Sequence, residues 1–137
     1  MAARLYALAL GVAVVMLVAG CGGGGSGGST TDTTAATVQG VRVLRVIDVH
    51  ETEWKLTPSS IRIERFGYYG LRGVNDGTVA HALRLSGPGI PGKTTAEIPP
   101  GDSKTMLVFF RRVGTYALTC PIDGHEQKGM KATVTVH

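Results

Sequence analysis

The sequence predicts an all-β Greek-key sandwich in a single domain, and three observations carry that prediction. From residue 41 onward, apolar and polar residues alternate with a period of two, the mark of half-buried strands. Turn signals rich in Gly, Pro, Asn and Asp separate these runs. No part of 41–137 has helical periodicity. Strands at this spacing, without helices between them, pack as two sheets with Greek-key links.

The strands follow in order. The first covers about 41–49, where Arg45 interrupts the apolar face and points to a bulge. Ile61 and Ile63 alternate with Arg62 and Glu64. His81, Leu83 and Leu85 alternate with Ala82, Arg84 and Ser86. Residues 104–110 are apolar on both faces. Tyr116, Leu118 and Cys120 alternate with Thr115, Ala117 and Thr119. Met130, Ala132, Val134 and Val136 alternate with Lys131, Thr133, Thr135 and His137. Between them stand the turns Thr57-Pro58-Ser59, Asn75-Asp76-Gly77, Gly87-Pro88-Gly89, Pro99-Pro100-Gly101 and Val113-Gly114.

Size and charge narrow the function. A chain of 137 residues has room for one domain. It is too small for a TIM barrel or a dinucleotide-binding unit with a substrate domain. Charged residues make up 18% and mean hydropathy is +0.14, which excludes a disordered polyelectrolyte. The net charge is +4, but Arg42, Arg45, Arg62, Arg65, Arg72 and Arg84 are interspersed with apolar residues. A nucleic-acid surface gathers such charge on one face, so no nucleic-acid partner is expected.

The first forty residues differ from the rest. Arg4 precedes an apolar run over 5–18, and Ala19 and Gly20 precede Cys21. A basic start, an apolar core and a small-residue cleavage site form a secretory signal. The run is short of the roughly twenty residues that span a bilayer. Val18-Ala19-Gly20-Cys21 resembles the bacterial lipoprotein signal. That resemblance implies a signal peptide over 1–20, cut before Cys21, with lipid on Cys21. Residues 21–40 then read as the lipid-anchor Cys and a flexible Gly/Ser/Thr linker, and 41–137 as the folded domain. The expected location is extracytoplasmic, on a lipid-anchored monomer. With Cys21 lipidated, Cys120 has no disulfide partner in the chain, and a free thiol in an oxidising compartment needs a reason.

Strand parity supplies one. His81, Cys120 and Met130 each share a face with buried-type residues, so all three point inward. Cys120 ends its strand and Met130 begins the next, so antiparallel pairing puts both at one pole. His81 begins its strand and joins them if that strand is antiparallel to 115–120. The connection 121–129 crosses the same pole and carries His125. Two imidazoles, a thiol and a thioether suit copper. Structural zinc sites use Cys and His alone, so the Met argues against zinc. His50 and His137 lack such company and read as surface residues.

Cys120-Pro121-Ile122-Asp123-Gly124-His125, followed four residues later by Met130, resembles the copper loop of the cupredoxins, the plastocyanin and azurin group of type 1 copper proteins. Asn75-Asp76-Gly77-Thr78-Val79-Ala80-His81 resembles that family's N-x-G-x-x-x-His element. The resemblance implies one copper ion on His81, Cys120 and His125, with Met130 as the weak axial ligand. It implies a one-electron carrier between protein redox partners, not an enzyme, with copper capture, storage or delivery as the alternative. An oxidase or nitrite reductase would need further His clusters. A metal-free interaction module would have lost ligands. It also implies that the loop His shows its outer edge within an apolar patch, for which Pro99, Pro100, Pro121 and Ile122 are candidates. Many cupredoxins carry Asn after the first His, where this chain has Ala82. The backbone N–H groups of Ala82 and Ile122 are expected to donate to the sulfur.

Overall fold

Burial follows the alternation strand by strand. In β9 (Gly114–Thr119), Tyr116 and Leu118 are buried while Thr115 and Ala117 are exposed. In β10 (Lys131–Val136), Ala132, Val134 and Val136 point inward. The computed structural model describes residues 37–38 and 40–137. The expected signal peptide over 1–20, the candidate lipid-anchor Cys21 and most of the expected linker lie outside the described residues.

Two five-stranded sheets face each other. The first runs β1 (Thr37–Val38), β2 (Val41–Thr52), β5 (Gly67–Asn75) and β8 (Ser103–Phe110), with β3 (Lys55–Thr57) also paired to β2. The second runs β4 (Ser60–Ile63), β10, β9, β6 (Arg84–Gly87) and β7 (Ile90–Thr94). β2 pairs parallel with β5, and β4 parallel with β10; the other ladders are antiparallel. Val49, Leu71, Val108 and Phe110 of one sheet and Leu85, Tyr116, Leu118 and Val134 of the other belong to one core. The architecture is the all-β sandwich that the sequence predicts. The β2–β5 register slips between Val43 and Arg45, which places the irregularity beside Arg45.

Three features depart from the sequence reading. β5 is absent from it, because Gly67, Gly70, Arg72 and Gly73 hide the alternation. Backbone pairing to both β2 and β8 holds that strand instead. Gly73 has a packing reason: a Cβ there would meet Ile98 Cδ1 at 2.6 Å. Second, the expected strand from residue 81 begins only at Arg84. His81 makes an isolated bridge to Ile98, and Leu83 bonds to Thr95, so 81–83 follows the 95–98 segment. Ala82 is then buried like its neighbours and the alternation fails. Third, the connection 121–129 contains one helical turn, α1 (His125–Lys128).

Tyr116 ties the sandwich together at its corner. Its hydroxyl lies 2.9 Å from the Arg112 carbonyl oxygen and 3.0 Å from that of Pro88. A tyrosine bonded to backbone a few residues upstream is the tyrosine corner of Greek-key sandwiches. Its ring packs edge-on against Phe110, 5.2 Å away in the opposite sheet. Tyr116→Phe keeps the ring and removes the hydroxyl whose one proton lies between the two carbonyls. It is expected to destabilise the protein by about 1 kcal/mol in denaturant unfolding. No change would mean that water replaces the hydroxyl without loss.

Candidate metal centre

The β9–β10 ladder ends at the pair Thr119–Lys131, and the next residues on either side are Cys120 and Met130. The Cys120 N–H donates to the Met130 carbonyl at 3.1 Å, so the two stay adjacent beyond the ladder. β6 is antiparallel to β9 with Arg84 opposite Thr119, which brings His81 to the same end. His125 opens α1; its N–H donates to Ile122 O at 3.0 Å, and its carbonyl accepts from the Met130 N–H at 3.2 Å. All four candidates therefore meet at one pole. Cys120 and Met130 sit just past strand ends and His81 in a bridge, not within the strands that the sequence reading expected to anchor them, and His125 opens α1.

The donor atoms converge. The ligand atoms of His81, Cys120 and His125 lie within 4.8 Å of one another. His81 Nδ1 is 3.3 Å from His125 Nδ1, and Cys120 Sγ is 3.5 Å from the same nitrogen. His81, Cys120 and Met130 are 0% exposed and His125 is 8% exposed. Buried polar groups need partners. The two ring nitrogens and the thiol are turned on one another, within hydrogen-bond reach. Their chemistry, two imidazoles and a thiol with a thioether adjoining, fits copper.

Electrostatics favour the neutral forms of His81 and Cys120. Burial pushes the His81 pKa down, and the neighbouring His125 pushes it further, against the pull of Glu53. Burial pushes the Cys120 thiol up. The N–H groups of Ile122 and Ala82 oppose that rise, and the Glu51 carboxyl adds to it. A neutral imidazole is ready to ligate, while the thiol needs a metal to displace its proton.

Sequence reasoning named Asn75 only as part of the N-x-G-x-x-x-His element and missed Trp54 and Lys128 as neighbours of the site. Asn75, itself 0% exposed, donates to the carbonyls of Val79 at 2.8 Å and Ile98 at 2.7 Å. Its side-chain oxygen accepts from Gly77 N–H at 2.9 Å. It thus locks the His81 segment to Ile98, a tie that the Ala82 side chain cannot make. Trp54, in the turn between β2 and β3, sets its ring edge-on to His125 at 4.6 Å and to His81 at 6.5 Å. Lys128 Nζ lies 3.7 Å from the Trp54 ring centroid on the other side. The outer edge expected of His125 is small: the residue keeps 8% exposure. Trp54 lies against that ring, while Pro99, Pro100 and Pro121 are exposed and Ile122 is half-buried. Nothing in local sequence links Trp54 to His125, so only a distant contact reveals it. His50 lies on the surface within β2, which runs further than expected, and its ring pairs with Asp76 at 2.6 Å. His137 is exposed at the end of the chain.

No family model matches the chain, and no curated protein matches it in sequence. Solved structures do match. Auracyanin B aligns over 76% of this chain and 95% of its own, with TM-score 0.62 and 19% identity. Auracyanin A, a "blue" copper protein of Chloroflexus aurantiacus, aligns over 67% and 98%, with TM-score 0.58 and 14% identity. The fold is that of the auracyanins. A multicopper oxidase also aligns, over 75% of this chain but only 45% of its own, with TM-score 0.57 and 18% identity. The auracyanin-like sandwich is thus also the shape of part of a larger protein. At these identities the likeness establishes the fold alone.

One wall of the pole carries an acid with no partner. Glu51 is 0% exposed, and neither carboxyl oxygen has a hydrogen-bond partner. Burial raises its pKa from 4.5 to about 7. Below pH 4.5 both folded and unfolded chains hold this proton, and the contribution to stability is complete. Between 4.5 and 7 only the folded chain holds it, so stability falls as pH rises. The loss across that window is on the order of 3 kcal/mol. Denaturant unfolding of the metal-free protein across that range should show a falling difference against Glu51→Gln. Parallel curves would mean that the carboxyl is not held protonated.

Proposed function

We propose that the protein is a one-electron carrier whose redox centre is a single copper ion held by His81, Cys120, His125 and Met130. The observation that carries this reading is the burial of two imidazoles and a thiol within 4.8 Å of one another at one pole of an auracyanin-like sandwich. Bound copper supplies a reversible one-electron couple between Cu(I) and Cu(II).

The protein's own groups do the rest. Cys120 gives up its proton and presents a thiolate, part of whose charge meets the N–H groups of Ile122 and Ala82. His81 stays neutral because burial and His125 disfavour its cation. Met130, held beside Cys120 and His125 by backbone bonds, adds a soft and weak fourth donor. Asn75 and the β9–β10 ladder hold these residues in place, which favours a centre that moves little as the electron comes and goes. Of the four, only His125 keeps measurable exposure, so a partner protein meets the domain on that side, across Trp54 and Ile122.

Carrier is favoured over copper capture or delivery because three of the four donors have no exposure, and ready exchange requires an opening. An oxidase or nitrite reductase would need further His clusters, for which the sequence offers only His50 and His137. The lipoprotein signal at Val18-Ala19-Gly20-Cys21 supports a lipid tether, an extracytoplasmic location and protein redox partners reached from the membrane by a monomer.

Copper-loaded protein is expected to be intensely blue or green and to bleach with a reductant. Cys120→Ser should remain folded by circular dichroism and lose the visible band; a retained band would remove Cys120 from the centre. Cys21→Ala should release the protein from membranes on fractionation with its colour intact, since stable anchoring needs the attached lipid. A soluble wild type with no lipid mass at its mature N-terminus would overturn the tether.

A further inference from the structure

The turn between β2 and β3 touches both histidines. Trp54 lies against His125, and the residue before it, Glu53, faces His81. His81 Nδ1 belongs to the donor cluster, 3.3 Å from His125 Nδ1. His81 Nε2 points the other way, fully buried and without a hydrogen-bond partner. Glu53 Oε1 lies 3.5 Å from it, just beyond a formed bond. The same oxygen accepts the N–H groups of Thr78 at 2.7 Å and Val79 at 3.1 Å, both in the segment that leads to His81. Gly77 leaves room for this, since a Cβ there would collide with the Glu53 carboxylate.

A neutral imidazole carries one proton, on one nitrogen or the other. Were it on Nδ1, the Nε2 lone pair would face a carboxylate oxygen at a buried position. With the proton on Nε2, that repulsion becomes a charge-assisted attraction. Glu53 Oε1 accepts two backbone N–H groups, from Thr78 and Val79, and such bonds favour the charged carboxylate.

We propose that Glu53 is a positioning residue for His81: its carboxylate keeps the ring proton on Nε2 and so turns the Nδ1 lone pair toward Cys120 and His125. A carboxylate behind a metal-binding imidazole fixes its tautomer and raises its basicity. Resting on the copper reading, the same charge favours Cu(II) over Cu(I). Sequence alone gives Glu53 no such role, because it lies in a turn 28 residues before His81.

Glu53→Gln is the test, since its amide oxygen still accepts from Thr78 and Val79 while the charge is gone. In the metal-free wild type, ring-nitrogen NMR should show His81 protonated at Nε2, and the variant, which keeps a neutral oxygen there but loses the charge, should show that preference weakened. In the copper-loaded protein, the Cu(II)-over-Cu(I) binding preference should drop roughly tenfold, read as a higher reduction potential. An unchanged tautomer together with an unchanged potential would overturn the proposal and leave Glu53 as a tether for the loop. A wild type with Nδ1 protonated would overturn it as well. Failure to bind copper at all would refute the proposed function and leave the tautomer result standing for His81.

Discussion

Burying two imidazoles and a thiol side by side is unfavourable, and much of the pole is arranged around that fact. Each group loses water and is turned on another member of the same set, with Glu53 behind His81 and the Ile122 and Ala82 N–H groups at the sulfur. Burial favours the neutral forms of two of them: it lowers the His81 pKa and raises that of Cys120. Backbone bonds hold them in that arrangement. Cys120 is fastened to Met130, Met130 to His125, and His125 to Ile122. None of the four is free to swing its backbone toward water without breaking one of these bonds or the bridge to Ile98.

The outer layer of the pole completes the enclosure with residues from a different part of the chain. β2 pairs with β3, and their connecting turn reaches over the second sheet's end. Trp54 covers His125 and is itself covered by Lys128, a cation over an aromatic face. Glu53 and Asn75 bond to the segment that ends in His81. The copper loop is therefore clasped from the first sheet, and its stiffness depends on contacts between sheets as much as on its own backbone. Glu51 lies on the same strand as this turn, and its unpartnered carboxyl adds a destabilising element to an otherwise apolar wall. Strain of this kind is typical of functional sites, where local stability yields to chemistry.

The sequence by itself determined the fold class and the set of residues at the pole. Period-two alternation assigned the faces of β9 and β10, and a face is a local property of the backbone. It follows that Cys120 and Met130 must end up together once β9 and β10 pair, with no further information needed. The spacing from Cys120 to His125 to Met130 likewise limits how far the loop can stray. What tertiary structure alone decided is everything that depends on residues far apart in the chain. β5 is a strand because β2 and β8 flank it, although its glycines erase the alternation. His81 to Leu83 leaves the expected strand because Ile98 and Thr95 capture its backbone. Trp54 and Glu53 reach the histidines because parallel pairing of β2 with β5 carries their turn to the same pole. Periodicity reports which side of its own strand a residue faces. Which distant side chain meets it there is settled only when the two sheets close on one another.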